Sequence, residues 1–289
     1  MAAKLIEGEP IAEAIKDQAR RDIKAMAKPP KLVAVLASDN PGAKYYAKSQ
    51  ETACAEVGIT YELRQLSPTS TAAHLEAEIG RINADPAVTG AILLMPVPQG
   101  VDARRVQQAI HPDKDVEGVH PANIGKLFYG DFSLAPCTPH AVVAMLQHAG
   151  VNLKGKETVV IGHSEIVGKP TVVMLLQSVM ESPTVTCCHI ATRDLALHTR
   201  RAEVLIVAAG KAGLVRGDMI KEGAVVIDVG INRITVEEAG KKKTRIVGDV
   251  EFDAAKERAS LITPVPGGVG LVTTAMLLKN TVECARRQG

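Results

Sequence analysis

The chain has 289 residues, 46% hydrophobic and 23% charged, a length at which one buried core gives way to two domains. Its 34 basic and 32 acidic residues are interspersed and leave a formal charge of +2, which excludes a field built to hold nucleic acid. Aromatics at 2%, with no Trp, exclude the stacking platforms of single-strand binders and require an aliphatic core.

Cys54, Cys137, Cys187, Cys188 and Cys284 lack C-x-x-C spacing, so no metal is expected, Cys187 and Cys188 read as buried small hydrophobes, and a reducing compartment fits. The start MAAKLIEGEP has neither an apolar signal core nor a transit pattern, and no run reaches the ~18 apolar residues of a membrane helix. A soluble, cytoplasmic protein without a membrane partner is the expectation.

Pro10 followed by Ile11, Ile15, Ala19 and Ile23 predicts a first helix ending near Lys28, before Pro29 and Pro30. A strand is expected over Leu32 to Leu36, a helix from about Ala43 to Val57 closed by Gly58, and an alternating strand from Ile59 to Leu66. A helix carrying Leu75, Ile79 and Ile82 then leads to a strand over Ala91 to Met95, broken by Pro96 and Pro98. This half reads as a small α/β layer on a parallel sheet. After the segment HPDKDVEGVHP, a connecting helix is expected over His140 to His148. Four short β-branched runs follow, Thr158 to Ile161, Thr184 to Cys188, Val204 to Ala208 and Ala224 to Val229, spaced for parallel crossovers in a second sheet. A closing helix from about Thr273 to Arg287 follows the loop TPVPGGVG. The fold class is therefore α/β with two domains, a small α/β domain and a Rossmann-type domain with a mainly parallel sheet.

The strand Thr158 to Ile161 runs into Gly162, His163, Ser164, Val167 and Gly168, after which Pro170, Val172, Val173 and Leu176 predict a helix. A glycine turn there presents unpaired amides and the positive end of a helix to a pyrophosphate, or is only a tight connection; its spacing is not G-x-G-x-x-G. The next strand end carries Ile190, Thr192 and Arg193, with no acid for a free ribose hydroxyl and no certain cation for a ribose phosphate. Lys169, His163 and Arg193 supply charge if they point inward and are solvated surface residues if they do not.

Three stretches carry a family resemblance: Asn40-Pro41 with Tyr46 and then Cys54 to Ile59; His111 to Gly118; and Thr263 to Gly270. With Gly162 to Pro170 and Asp228 to Asn232 between them, the chain resembles the bifunctional methylenetetrahydrofolate dehydrogenase/methenyltetrahydrofolate cyclohydrolase family over nearly its whole length. The resemblance implies a folate-binding catalytic domain over 1–140, completed by the C-terminal helix 271–289, and a Rossmann-type NAD(P)-binding domain over 141–270. It also implies a folate cleft between the two domains and a homodimer. The cofactor is NADP or NAD, with His163 and Ile190 in place of a frequent arginine and serine leaning toward NAD, and tetrahydrofolate is the carrier of the substrate carbon. Gly162, His163, Ser164, Val167, Gly168, Ile190, Thr192, Arg193 and Ile231 fall at cofactor positions. Tyr46, Gln50, Leu93, Leu94, Met95, Glu117, Pro266, Gly267, Gly268, Val269 and Gly270 fall at folate positions.

Within that pattern Tyr46 matches the family tyrosine, but a lysine position is Gln50, a glutamine position is Leu94, and an aspartate position is Glu117. A Pro-Met pair is replaced by Leu271-Val272. Hydride transfer asks a protein to place two rings and exclude water, whereas water addition asks for a proton-transferring group. Gln50 is neutral at every pH and Leu94 has no polar atom, so both changes strike the hydrolytic step. On a helix Lys48 points about 200° from Tyr46 and Gln50, and Lys44 also lies on the wrong side. Glu117 keeps a carboxylate for a pterin. The expected activity is a methylenetetrahydrofolate dehydrogenase with cyclohydrolase activity lost or weak. The alternatives are a bifunctional enzyme and a non-catalytic folate- or dinucleotide-binding paralogue.

Overall fold

Lys31–Leu36 forms the central strand of a three-stranded parallel sheet in the computed structural model, which describes residues 2–238 and 241–289. Thr60–Gln65 pairs on one side of it and Gly90–Leu94 on the other. Leu32 through Leu36 are wholly inaccessible, as a strand covered on both faces must be, which is why they form an unbroken apolar run. The edge strand Thr60–Gln65 is exposed at Thr60, Leu63 and Gln65 and half-buried at Tyr61, Glu62 and Arg64, so its alternating sequence is not matched by alternating burial.

The helix Pro41–Val57 links the first two strands. Asn40 caps it, its Oδ1 accepting from the amides of Gly42 at 2.8 Å and Ala43 at 3.1 Å, with Pro41 in the first turn and Gly58 closing the far end in the left-handed region. Its buried stripe is Ala43, Ala47, Gln50, Ala53, Cys54 and Val57, small apolar residues with one amide among them. The helix Ala72–Ala84 drives Leu75, Ile79 and Ile82 into a core shared with Val33, Val35 and Leu93. Lys114, although almost fully buried, finishes this helix: its Nζ donates to the carbonyls of Ile82, Asn83 and Asp85 at 3.0, 3.0 and 2.7 Å.

The second sheet has six parallel strands, in the order Lys4–Leu5, Leu261–Ile262, Val225–Asp228, Val204–Val207, Glu157–Ile161, Thr184–Cys188. Two of these were not expected from sequence, because strands of two residues carry no periodicity. The pairing of Lys4–Leu5 with Leu261–Ile262 draws the residues up to Ala12 into the six-stranded unit with Thr138–Thr273, whereas the expected division kept them with the rest of 1–140 and with 271–289. Glu13–Cys137 and Thr274–Gly289 form the three-stranded unit. An antiparallel hairpin, Asn232–Glu238 with Lys241–Val247, and the helix Pro121–Phe128 were also missed. The closing helix begins at Val269, earlier than its expected start. Cys188 is buried as expected, but Cys187 is exposed, since Thr184–Cys188 is an edge strand. Among the described residues no helix is long and apolar enough to cross a membrane, and no cluster of His, Cys, Asp or Glu is arranged to hold a metal ion.

The C-terminal helix belongs to the three-stranded unit from Thr274 onward for a specific reason. Asn280, completely buried, donates from Nδ2 to the carbonyls of Val116 and Ala135, each at 2.9 Å. An Asn280→Ala variant strips the donor from the buried Ala135 carbonyl and leaves the Val116 carbonyl only the weak Cys137 thiol at 3.3 Å, and is expected to lower the unfolding free energy measured in urea by about 2–3 kcal/mol.

Candidate active site

In the three-stranded sheet the chain passes from the central strand to one edge and then back to the other. The loops leaving Leu36 and Leu94 therefore diverge at the carboxyl ends of adjacent parallel strands, where such sheets leave a crevice. A pocket of about 280 Å³ lies there, lined by Asn40, Gly42, Ala43 and Tyr46 after the first strand, Ile92 to Met95 from the third, and Glu117.

Glu117 reaches the pocket because the residues before it are tied down. Asp115 pairs in parallel beside Ala91, extending the sheet edge by one bridge. Its buried carboxylate accepts from the amides of Gly118 at 3.1 Å and His120 at 2.8 Å and from Asn123 Nδ2 at 3.0 Å. Burial pushes the Asp115 carboxyl up, and these donors hold it down. Between the Lys114 and Asp115 anchors and the Asn280 clamp on Val116, the loop has little freedom, and Glu117 projects from it.

The pocket disfavours charge. Burial raises the Glu117 carboxyl to about 8, the negative charge of Asp115 adds to that, and the Gln107 amide at 3.5 Å opposes it. Burial likewise pushes the Tyr46 hydroxyl up to about 12, against the neighbouring Gln50 amide, even though two-fifths of the residue's surface is exposed. Gln50 lies one helical turn from Tyr46, completely buried; its Oε1 accepts from the Tyr61 hydroxyl at 3.2 Å and its Nε2 has no hydrogen-bond acceptor among the described residues. Leu94 is buried at the strand end and Met95 is half exposed beyond it. Leu93 borders the pocket, but it belongs to the core with Leu75 and Ile79. Among the described residues no lysine lines the pocket: Lys48 is paired with Glu51 at 2.7 Å and Lys44 with Asp39 at 2.9 Å, both on exposed helix surface.

The six-stranded sheet reverses in the same way. The chain leaves Glu157–Ile161 for one neighbour and returns to Val204–Val207 on the other side, so Gly162 and Ala208 face each other across the crevice. A Cβ on Gly162, whose φ is 109°, would stand 2.2 Å from the Ala208 carbonyl oxygen, and one on Gly168 would stand 2.0 Å from the Gly162 oxygen. Only glycines allow the helix Gly168–Leu175 to start this close to the strand end, a cradle that suits the pyrophosphate of a dinucleotide. The amides of Val167 and Gly168 are taken up within the turn, where Ser164 Oγ accepts from both at 3.1 and 3.4 Å. His163 stacks on His189, ring centroids 4.7 Å apart and 15° from parallel. Ile190, Arg193 and Ile231 are exposed, and Thr192 Oγ1 accepts from the His189 amide at 2.9 Å.

Tyr46, Leu93, Leu94, Met95 and Glu117 thus meet around one pocket, with Gln50 behind Tyr46. Pro266 to Gly270 lie in the six-stranded unit, where Gly267 accepts from the Gly8 amide at 2.8 Å. Sequence reasoning missed Tyr61, Gln107 and His189 as neighbours of the site. The first two are joined to it by sheet register and loop path, which leave no local signal; His189 stood in view at a strand end.

Residues 6–117 match the catalytic domain, and residues 136–289 the NAD(P)-binding domain, of tetrahydrofolate dehydrogenase/cyclohydrolase. The chain belongs to the tetrahydrofolate dehydrogenase/cyclohydrolase family. It is 47% identical over 290 residues, 99% of this chain and 100% of the other, to a protein of Moorella thermoacetica named bifunctional protein FolD. Among solved structures it is similar to the bifunctional FolD enzyme of Campylobacter jejuni, with a TM-score of 0.92 and 41% identity, covering 100% of both chains. It is also similar to the Trypanosoma brucei enzyme complexed with NADP and an inhibitor, with a TM-score of 0.91 and 35% identity over 99% of this chain and 98% of that one. The family fold, two α/β domains with a mainly parallel sheet in the NAD(P)-binding one, is the one described above.

The raised Glu117 carboxyl has a consequence for stability. A folded-state value near 8, above that of a free carboxyl, means that the folded chain binds the extra proton, so this contribution is present in acid and lost as pH rises toward 8. Urea unfolding at pH 5 and pH 8 is expected to show Glu117→Gln gaining on the parent protein at the higher pH.

Proposed function

We propose that the protein oxidises 5,10-methylenetetrahydrofolate to 5,10-methenyltetrahydrofolate with a nicotinamide dinucleotide, and that its hydrolysis of the methenyl product is lost or weak. The three-stranded unit takes the folate and the six-stranded unit the dinucleotide. The observation that carries the reading is Gln50, an amide in the buried stripe behind Tyr46, where the resemblance calls for a lysine.

The dinucleotide, when bound, accepts the hydride. The chain's own residues hold and exclude: Glu117 accepts hydrogen bonds from the pterin donors, releasing its proton to solvent as they arrive; Tyr46 offers its ring and hydroxyl; Leu94 and Met95 keep water from that wall. None of these tasks needs a general base. Adding water to the methenyl carbon does, and Gln50 cannot take a proton, Leu94 cannot orient a partner, and Lys44 and Lys48 are engaged elsewhere. At the other site we propose a preference for NAD, because the exposed Ile190 and a stacked His163–His189 pair stand where the resemblance calls for a serine and an arginine, and the exposed Arg193 on the same loop is the donor group that would instead serve a ribose phosphate.

The second reading is the bifunctional enzyme, and the comparisons favour it over loss of hydrolysis: relatives at 42–47% identity over at least 98% of this chain are named bifunctional. Glu117, held near 8, is the group in the pocket able to exchange a proton around neutrality.

A progress curve with methylenetetrahydrofolate and each dinucleotide separates these readings. Methenyl absorbance that rises and persists, faster with NAD, is the expected result; prompt decay to 10-formyltetrahydrofolate establishes the bifunctional enzyme, and binding of both ligands without turnover establishes a non-catalytic paralogue. The Gln50→Lys, Leu94→Gln double variant is expected to gain hydrolysis, and equality with the parent protein would count against the account.

A further inference from the structure

Gln50 holds an unmet donor. Its carboxamide is completely buried, the oxygen end accepts from the Tyr61 hydroxyl at 3.2 Å, and the nitrogen end makes no hydrogen bond to any described residue. Tyr46, four residues earlier on the same helix face, sets its hydroxyl beside this amide and lines the pocket. A buried N–H without an acceptor is rare in folded proteins, and here it stands behind a cavity with a second hydroxyl in between.

A carboxamide is ambiguous, since turned one way it gives a hydrogen bond and turned the other way it takes one. Turned with its oxygen toward Tyr46, it would capture the phenolic hydrogen; turned with its nitrogen there, it leaves that hydrogen available. Tyr61 bears on this choice. It is half-buried on the strand Thr60–Gln65, burial raises its hydroxyl far above the ordinary range, and a neutral phenol in that setting needs an acceptor, which Gln50 Oε1 supplies.

We propose that Tyr61 is a positioning residue that holds the Gln50 oxygen away from the pocket. Gln50 Nε2 then donates toward the Tyr46 oxygen, and the Tyr46 hydroxyl hydrogen is directed to an acceptor atom, a carbonyl oxygen or ring nitrogen, of the bound substrate. The inference rests on reading this pocket as the folate pocket. It makes the polarity of a neutral site depend on a residue outside it. An ammonium at position 50 would carry donors only and need no such help.

Two experiments test the chain Tyr61, Gln50, Tyr46. The protein has four tyrosines, so labelling with 13Cζ-tyrosine gives four signals that single Phe variants assign. In the ligand-free protein Tyr61→Phe is expected to move the Tyr46 signal, and an unmoved signal overturns the proposal. In turnover assays Tyr61→Phe is expected to raise KM for methylenetetrahydrofolate about five-fold, the worth of one hydrogen bond, with kcat and the dinucleotide KM unchanged. The same substitution made in a Gln50→Lys background is expected to have no effect. An equal cost in both backgrounds, or a loss confined to kcat, reduces Tyr61 to packing and overturns the proposal. Should the parent protein fail to turn over methylenetetrahydrofolate, the functional reading falls, and the Tyr46 signal still decides the inference.

Discussion

Strand order in a parallel sheet is the constraint from which both sites follow. When the chain lays a central strand, adds a neighbour on one side and returns to the other, the loops at the carboxyl ends of two adjacent strands must part. Lys31–Leu36 and Gly90–Leu94 part in this way above the pocket that contains Tyr46 and Glu117. Glu157–Ile161 and Val204–Val207 do so at Gly162 and Ala208. Neither crevice requires a special residue to exist; residues decide only what each can hold.

Buried polar groups then convert one crevice into a site. Lys114 and Asp115 are adjacent, oppositely charged and almost fully buried, and each is satisfied separately, Lys114 by three carbonyls at a helix end and Asp115 by two amides and Asn123. Separate anchorage fixes two points of the loop where a mutual ion pair would fix one. Asn280 adds a third from the last helix. Networks of this kind are costly when incomplete and rigid when satisfied, and rigidity is what a carboxylate needs if it is to meet a ligand in a single orientation.

The pocket so formed is built of neutral groups. Gln50 and Leu94 cannot ionise, Tyr46 stays protonated to about 12, and Glu117 titrates only near 8. Such a lining suits placement of a flat, polar ring system and exclusion of water better than it suits proton transfer, and this is the physical content of the proposed separation between hydride transfer and hydrolysis.

Most of the longer elements were legible from sequence because their signals are local. Asn40-Pro41 starts a helix and Gly58 ends it, Leu32 to Leu36 is an unbroken apolar run, and Gly162 follows a β-branched strand. The identities at Tyr46, Gln50, Leu94 and Glu117, and hence which side chains can ionise, were equally plain. What the sequence could not determine was anything resting on contacts between distant segments. The two-residue strands Lys4–Leu5 and Leu261–Ile262 exist only because they pair with each other and with Val225–Asp228. Tyr61 meets Gln50 only because parallel register sets its strand beside the helix, and Asn280 reaches Val116 across more than half the chain. Residue chemistry is a property of single positions and survives in the sequence, whereas the partner that orients each group is chosen by packing, which only the tertiary structure decides.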